Sequence, residues 1–154
     1  MVEILNRKAS HRYLIGNTFV AGIVLQGTEV KSIRAGKAQI ADAFVTIDRL
    51  GNAHLLNAHI ESYAFGHSQN HLPDRSRRLL LHRGEIQKLR EAIEQEGQSV
   101  IPLKLYFERS WAKLLVAVCR GKKLHDSRES LKEKTVQRET ERFLKRRISG
   151  GRNG

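Results

Sequence analysis

Between Leu103 and Glu108 the chain alternates in a way that only β-structure can use. Leu103, Leu105 and Phe107 alternate with Lys104, Tyr106 and Glu108, so one face is apolar and the other meets solvent. Arg109-Ser110 ends the pattern, and the continuous apolar run Leu114–Val118 that follows has the β-branched, apolar character of a strand buried on both faces. Two strands are therefore expected, Val100 to Glu108 and Ala112 to Cys119, and any fold has to accommodate them. Upstream, Phe19–Leu25 is β-branched and aromatic enough for a strand. Residues 43–47 and 53–60 read as a hairpin around the turn residues Asp48-Arg49-Leu50-Gly51-Asn52. Arg78–His82 returns to the core.

Helical periodicity is scarce. Gly27–Gly36 reads as a short helix, with Thr28 as the expected cap, Val30 and Ile33 inward, and Gly36 at the left-handed C′ position. Arg83–Gln95 is stronger: Ile86, Leu89 and Ile93 form one stripe, and Gly97 follows. About six strands, one substantial helix and no βαβ rhythm predict a mainly β fold, a small antiparallel OB-like barrel with short flanking helices. Residues 64–77 form the longest irregular stretch, and a polar loop of that length is expected to be functional or disordered.

Charge is concentrated at the two ends. Asn6-Arg7-Lys8-Ala9-Ser10-His11-Arg12 makes a basic entry. From Gly121 to Gly154 there are eleven Lys/Arg against five Asp/Glu, which is half of the chain's +12. The predicted organisation is a domain at residues 1–120 and a basic tail at 121–154. The tail has high helix propensity but a broken apolar stripe (Leu131, Val136, Phe143, Leu144, Ile148). It is expected to order against a polyanion or to remain a solvated arm. A basic chain of this kind points to nucleic acid, because neutralised phosphates release counterions. An interfacial membrane helix would need an aromatic and aliphatic face that the tail lacks. No run approaches the roughly 18 apolar residues of a membrane span, and the first residues lack the apolar core of a secretory signal. A cytoplasmic location is expected. Cys119 ends an apolar run and is expected to pack as a small hydrophobe.

Catalysis is poorly supported. Glu29, His59, His125 and Asp126 are the acid–base candidates, yet there is no nucleophile elbow, phosphate-binding Gly loop or acidic metal cluster. His67 and His71 have metal-like spacing without further ligands, so no metal or cofactor is expected. A metal-free ribonuclease assembled from His and Lys is the remaining enzymatic reading. Lys31 and Arg34, one turn apart, are either a phosphate-facing pair or an ordinary solvated face.

Several strings, in order, carry a more specific signal. They are Asn6-Arg7-Lys8-Ala9, Gly27-Thr28-Glu29-Val30-Lys31-Ser32, Ala58-His59-Ile60, Asn70-His71, Arg78-Leu79-Leu80-Leu81-His82, Pro102-Leu103-Lys104-Leu105-Tyr106 and Gly121-Lys122-Lys123-Leu124-His125-Asp126. Together they resemble the SmpB family, the small SsrA-binding proteins of bacterial trans-translation. The resemblance implies an OB-like barrel whose basic C-terminal tail becomes helical on the ribosome. It implies binding to the tRNA-like domain of transfer-messenger RNA (tmRNA), delivery to stalled ribosomes, and no covalent chemistry. The runner-up is a general RNA- or ribosome-associated OB module.

With the basic residues above, the candidate tmRNA-binding set is Asn6, Arg7, Lys8, His11, Lys31, Arg34, Leu80, His82, Lys122 and Lys123. The candidate set for the decoding centre, at the small-subunit rRNA, and for the mRNA channel is Gly121, His125, Asp126, Arg128 and Lys132. Two departures stand out. Val20 occupies a position where the family pattern has an RNA-associated Glu, and Ser127 replaces a Lys after the tail His-Asp.

Overall fold

The computed structural model describes residues 2–66 and 70–122. His67 and the tail candidates Lys123, His125, Asp126, Arg128 and Lys132 lie outside the described residues. Among those described, the element order is β1 (Glu3–Leu5), α1 (Ala9–Arg12), β2 (Tyr13–Ile23), α2 (Gly27–Arg34), β3 (Ala38–Gln39), β4 (Phe44–Ile47), β5 (Ala53–Leu56), β6 (His59–Ile60), β7 (Arg77–Leu80), α3 (Arg83–Glu94), β8 (Ser99–Glu108) and β9 (Trp111–Gly121).

Seven strands form one sheet in the order β1-β8-β9-β2-β7-β5-β4, and β3 pairs with β6 in a separate ribbon. The pairs β1–β8, β2–β7, β3–β6, β4–β5, β5–β7 and β8–β9 are antiparallel. The sheet curls so that β4, at one edge, packs against β8, the neighbour of the other edge strand. The fold is therefore mainly β and OB-like, and the alternating stretch Leu103–Glu108 lies in its strand β8. Its core gathers Ile23, Ile33, Leu55, Leu79, Leu89, Leu105 and Leu114, which come from both ends of the sheet and from two helices. Among the described residues no helix is long and apolar enough to cross a membrane.

The β8–β9 hairpin pairs Glu108 with Trp111, and Arg109 takes a positive φ of 60° to close it. A register shift lies between Pro102 and Lys104, where proline has no N–H to give the ladder. Asn6, just past β1, serves this bulge. Its N–H donates to the Leu103 carbonyl at 2.9 Å and its Nδ2 donates to the Pro102 carbonyl at 2.9 Å. Cys119 is buried with Ala9, Ile101 and Ala117, and burial pushes its thiol pKa up.

Residues 2–18, where the sequence shows a basic entry, also contribute β1, α1 and the first half of β2. Ile4 alone of β1 points inward, which is too short a signal to read as periodic. The first half of β2 is exposed, and backbone pairing holds it rather than apolar patterning. Gly16 marks its close approach to β9, since a Cβ there would sit 2.9 Å from the Val118 carbonyl oxygen. The cap of α2 also differs. Gln26 is the N-cap residue, its N–H donating to Glu29 Oε1 at 2.9 Å, and Thr28 Oγ1 instead bonds His71 Nδ1 at 2.8 Å.

Candidate nucleic-acid interface

The first basic cluster is built around Asn6 and Ala9. Asn6 is only 8 % exposed, so its amide works inward on β8 while its neighbours face out. Ala9 plugs into the small cluster beside Ile101 and Ala117, and this fixes the single turn of α1. Arg7, Lys8 and His11 are exposed around that plug. Arg12 is held by Asp42 at 3.1 Å. Asn6→Ala should cost about 1–3 kcal/mol, because the Pro102 carbonyl loses its donor in a buried place. Chemical denaturation reads this directly, and an unchanged midpoint would remove the bulge-pinning role.

The second cluster lies on α2, where neither cation of the expected pair is a bare solvated charge. Lys31 Nζ stands 5.4 Å from the centroid of the Tyr63 ring, and the Arg34 guanidinium lies 4.3 Å from that of Phe107. Both side chains remain exposed. Such cation–π seating orients a charge without removing it from phosphate reach.

A third surface is apolar. Leu80 is 55 % exposed and pairs with Gly22, whose missing side chain leaves Leu80 room across the strand. Val20, Leu80, His82, Trp111 and Lys113 line one open groove of about 690 Å³. Trp111 is 72 % exposed at the start of β9. Sequence reasoning placed that strand one residue later and so passed over Trp111. His82 stands at the N-terminus of α3, its N–H donating to Glu85 at 3.0 Å while its ring stays exposed. Gly121 and Lys122 are exposed where β9 ends. Leu80 and His82 therefore share one site, whereas Asn6, Arg7, Lys8 and His11 belong to the β1–α1 corner against β8.

Behind these surfaces sits a buried charge cluster that the sequence did not disclose. Glu29 and Arg77 are fully buried. Arg77 Nε and Nη2 lie 2.8 and 2.6 Å from Glu29 Oε2, and Arg75 donates to the same carboxylate at 2.6 and 2.9 Å. Arg77 further donates to the carbonyls of Ala58 at 2.7 Å and Pro73 at 3.0 Å. Burial by itself would raise the Glu29 pKa. Hydrogen bonds from Arg75, from the Gln26 N–H and from Arg77, with the Arg77 charge, outweigh it and hold the carboxyl below its ordinary 4.5. Glu29 is thus a structural anion, sealed from substrate, which corrects its reading as an acid–base candidate.

Within the stretch expected to be an irregular loop, the described residues 70–77 are tied down by the same cluster and by His71. Arg77 opens β7. His71 is buried, its Nε2 bonding the Ile60 carbonyl at 2.9 Å while Nδ1 meets Thr28. Among the described residues no group of three or more His, Cys, Asp or Glu is placed to hold a metal ion.

The family model described as SmpB protein matches residues 3–146. The chain belongs to the SmpB family. SsrA-binding proteins of Oceanobacillus iheyensis and Trichormus variabilis are 49 % and 52 % identical to it, over 91 % of this chain and 90 % of theirs. That of Geobacter metallireducens is 49 % identical over 92 % of each chain. A solved chain described as tmRNA–SmpB, on a journey to the center of the bacterial ribosome, superposes with a TM-score of 0.69. It is 41 % identical, over 86 % of this chain and 96 % of that one. Within the SmpB pattern the structure gives the Val20 departure a location. Val20 is nearly half exposed on the Leu80–His82 groove, which therefore carries an aliphatic side chain there.

Proposed function

We propose that this chain binds the tRNA-like domain of tmRNA and delivers it to stalled ribosomes for trans-translation. The observation that carries this reading is near-half identity, over nine-tenths of both lengths, to proteins named for binding SsrA. The geometry supports it through exposed cations seated on a rigid frame beside an open apolar groove. In this reading residues 1–120 form the RNA-binding domain. Arg7, Lys8, His11, Lys31, Arg34, Lys122 and Lys123 meet phosphates, Leu80 and His82 meet bases or sugars, and Asn6 positions the basic turn from inside. Residues 121–154 form the arm that enters the decoding centre and mRNA channel, using Gly121, His125, Asp126, Arg128 and Lys132. The protein acts by binding in the cytoplasm, and no covalent step is assigned to it.

Sequencing the RNA that copurifies with the full chain tests this reading. Enrichment of tmRNA is expected, and an unselective mixture would identify a general RNA module instead. A titration with the tRNA-like domain should also weaken steeply with salt. An interface of six or more phosphates loses on the order of 10³-fold between roughly 50 and 200 mM. A flat response would shift the affinity from the cations to the apolar groove.

A further inference from the structure

Phe65 is 74 % exposed, yet it sits on a closely tied turn. The Gly66 N–H donates to the Tyr63 carbonyl at 2.9 Å. Asn70 grips Tyr63 from both sides, accepting its N–H at 2.8 Å and donating to its carbonyl at 2.8 Å. Glycine is required at 66, because a Cβ there would lie 2.7 Å from Asn70 Nδ2 and 3.1 Å from Thr28 Cγ2 on α2. The turn is therefore closed against the first turn of α2, and Phe65 is presented outward from a fixed base.

Among the described residues its ring contact is edge-to-face with Tyr63, at 5.6 Å and 73°. That geometry occupies at most one face of the Phe65 ring, and among the described residues the high exposure of Phe65 leaves the other flat face open. Tyr63 in turn lies under the Lys31 ammonium. The exposed charges around this column are Lys31, Arg34 and Lys37 on and just past α2, with Glu61 as the acidic neighbour whose N–H donates to the Lys37 carbonyl. Asp74 is engaged by His59 at 2.8 Å. A flat aromatic face bordered by a net excess of cations matches an unpaired nucleobase and its phosphate better than an apolar protein pocket.

We infer that Phe65 is a stacking platform for one unpaired base of the bound RNA, with Lys31 placed for the adjoining phosphate. The inference rests on the RNA-binding reading above and names one of its contacts. The test uses the full chain and the tRNA-like domain of tmRNA. Phe65→Ala should weaken binding about tenfold, within the range for loss of one base–aromatic stack, with an unchanged salt slope. Lys31→Ala should lower that slope by about one. Phe65→Trp should bind at least as tightly as the parent chain, whereas Phe65→Leu should fail as Ala does. Position 65 is too exposed for any of these to threaten folding, which circular dichroism checks. If Phe65→Ala binds within twofold of the parent, or Phe65→Leu retains full affinity, stacking at this position is wrong. If the parent itself does not bind, the failure belongs to the RNA-binding reading instead.

Discussion

Glu29→Gln should be among the most destabilising single changes in this protein, at about 3–5 kcal/mol, as for other broken buried ion pairs. The substitution keeps the shape and removes the charge. Arg77, fully buried, then loses the carboxylate it is hydrogen-bonded to, and Arg75 and Arg77 face each other across an amide that offers one acceptor atom where two were used. Against a total stability of order 5–15 kcal/mol this is a large fraction, and thermal unfolding should move down by roughly 10–20 °C. Glu29 joins α2 to Arg75, in the segment before β7, and to Arg77 in β7. The loss should therefore spread to Lys31, Arg34 and Leu80 and weaken RNA binding as well. The pH dependence has a definite sign. The folded pKa of Glu29 is depressed, so its contribution is present above the ordinary carboxylate value of 4.5 and is lost as pH falls through the lower folded value. The gap between parent and Glu29→Gln should accordingly be full near neutrality and shrink in acid. A midpoint within about 3 °C of the parent at pH 7, less than one kcal/mol on that scale, would mean that the cluster is not what joins these elements.

That cluster also shows where sequence reading stopped. The β8–β9 pair and α3 were legible because each carries its own period: alternation from Leu103 to Phe107, and the stripe Ile86, Leu89 and Ile93. In β1, three residues with one inward side chain have no period to read. In the first half of β2 the side chains face solvent and the backbone does the holding. Glu29 and Arg77 are 48 residues apart, and nothing local distinguishes a buried Arg from an exposed one. Glu, Arg and His ordinarily face solvent, and here tertiary hydrogen bonding overrides that tendency at Glu29 in α2, His71 in the loop and Arg77 at the start of β7 together.

The candidate interface was legible by composition and illegible by geometry. The cations of the N-terminal entry and of α2 could be listed from the chain, but their supports could not. Tyr63 under Lys31 and Phe107 under Arg34 come from distant strands and loops. Trp111 and Phe65 were invisible because an exposed aromatic breaks the rule by which apolar residues are assigned to the core. The order of the matching strings, rather than any pattern within them, brought Leu80 and His82 into the candidate set.

Truncation after Gly121 should separate two activities that the chain joins. On the proposed reading the frame from Glu3 to Arg120 carries Arg7, Lys8, His11, Lys31, Arg34 and the Leu80 groove, and these stay in place when the arm is removed. Affinity for the tRNA-like domain should then fall only by the share of Lys122 and Lys123, and the salt slope by up to about two. Trans-translation should be lost altogether, because the removed residues include every candidate beyond Gly121 for the decoding centre. His125→Ala in the full chain isolates the argument further. A ring that stacks on or hydrogen-bonds rRNA bases contributes nothing to binding free tmRNA, so affinity should be unchanged while peptide tagging on stalled ribosomes drops at least tenfold, which corresponds to about 1.4 kcal/mol. Charge alone would predict otherwise, since the arm keeps its eleven Lys/Arg in that variant. Tagging at the parent level by His125→Ala would assign the arm a purely electrostatic role, and tagging by the truncated chain would remove the arm from the mechanism.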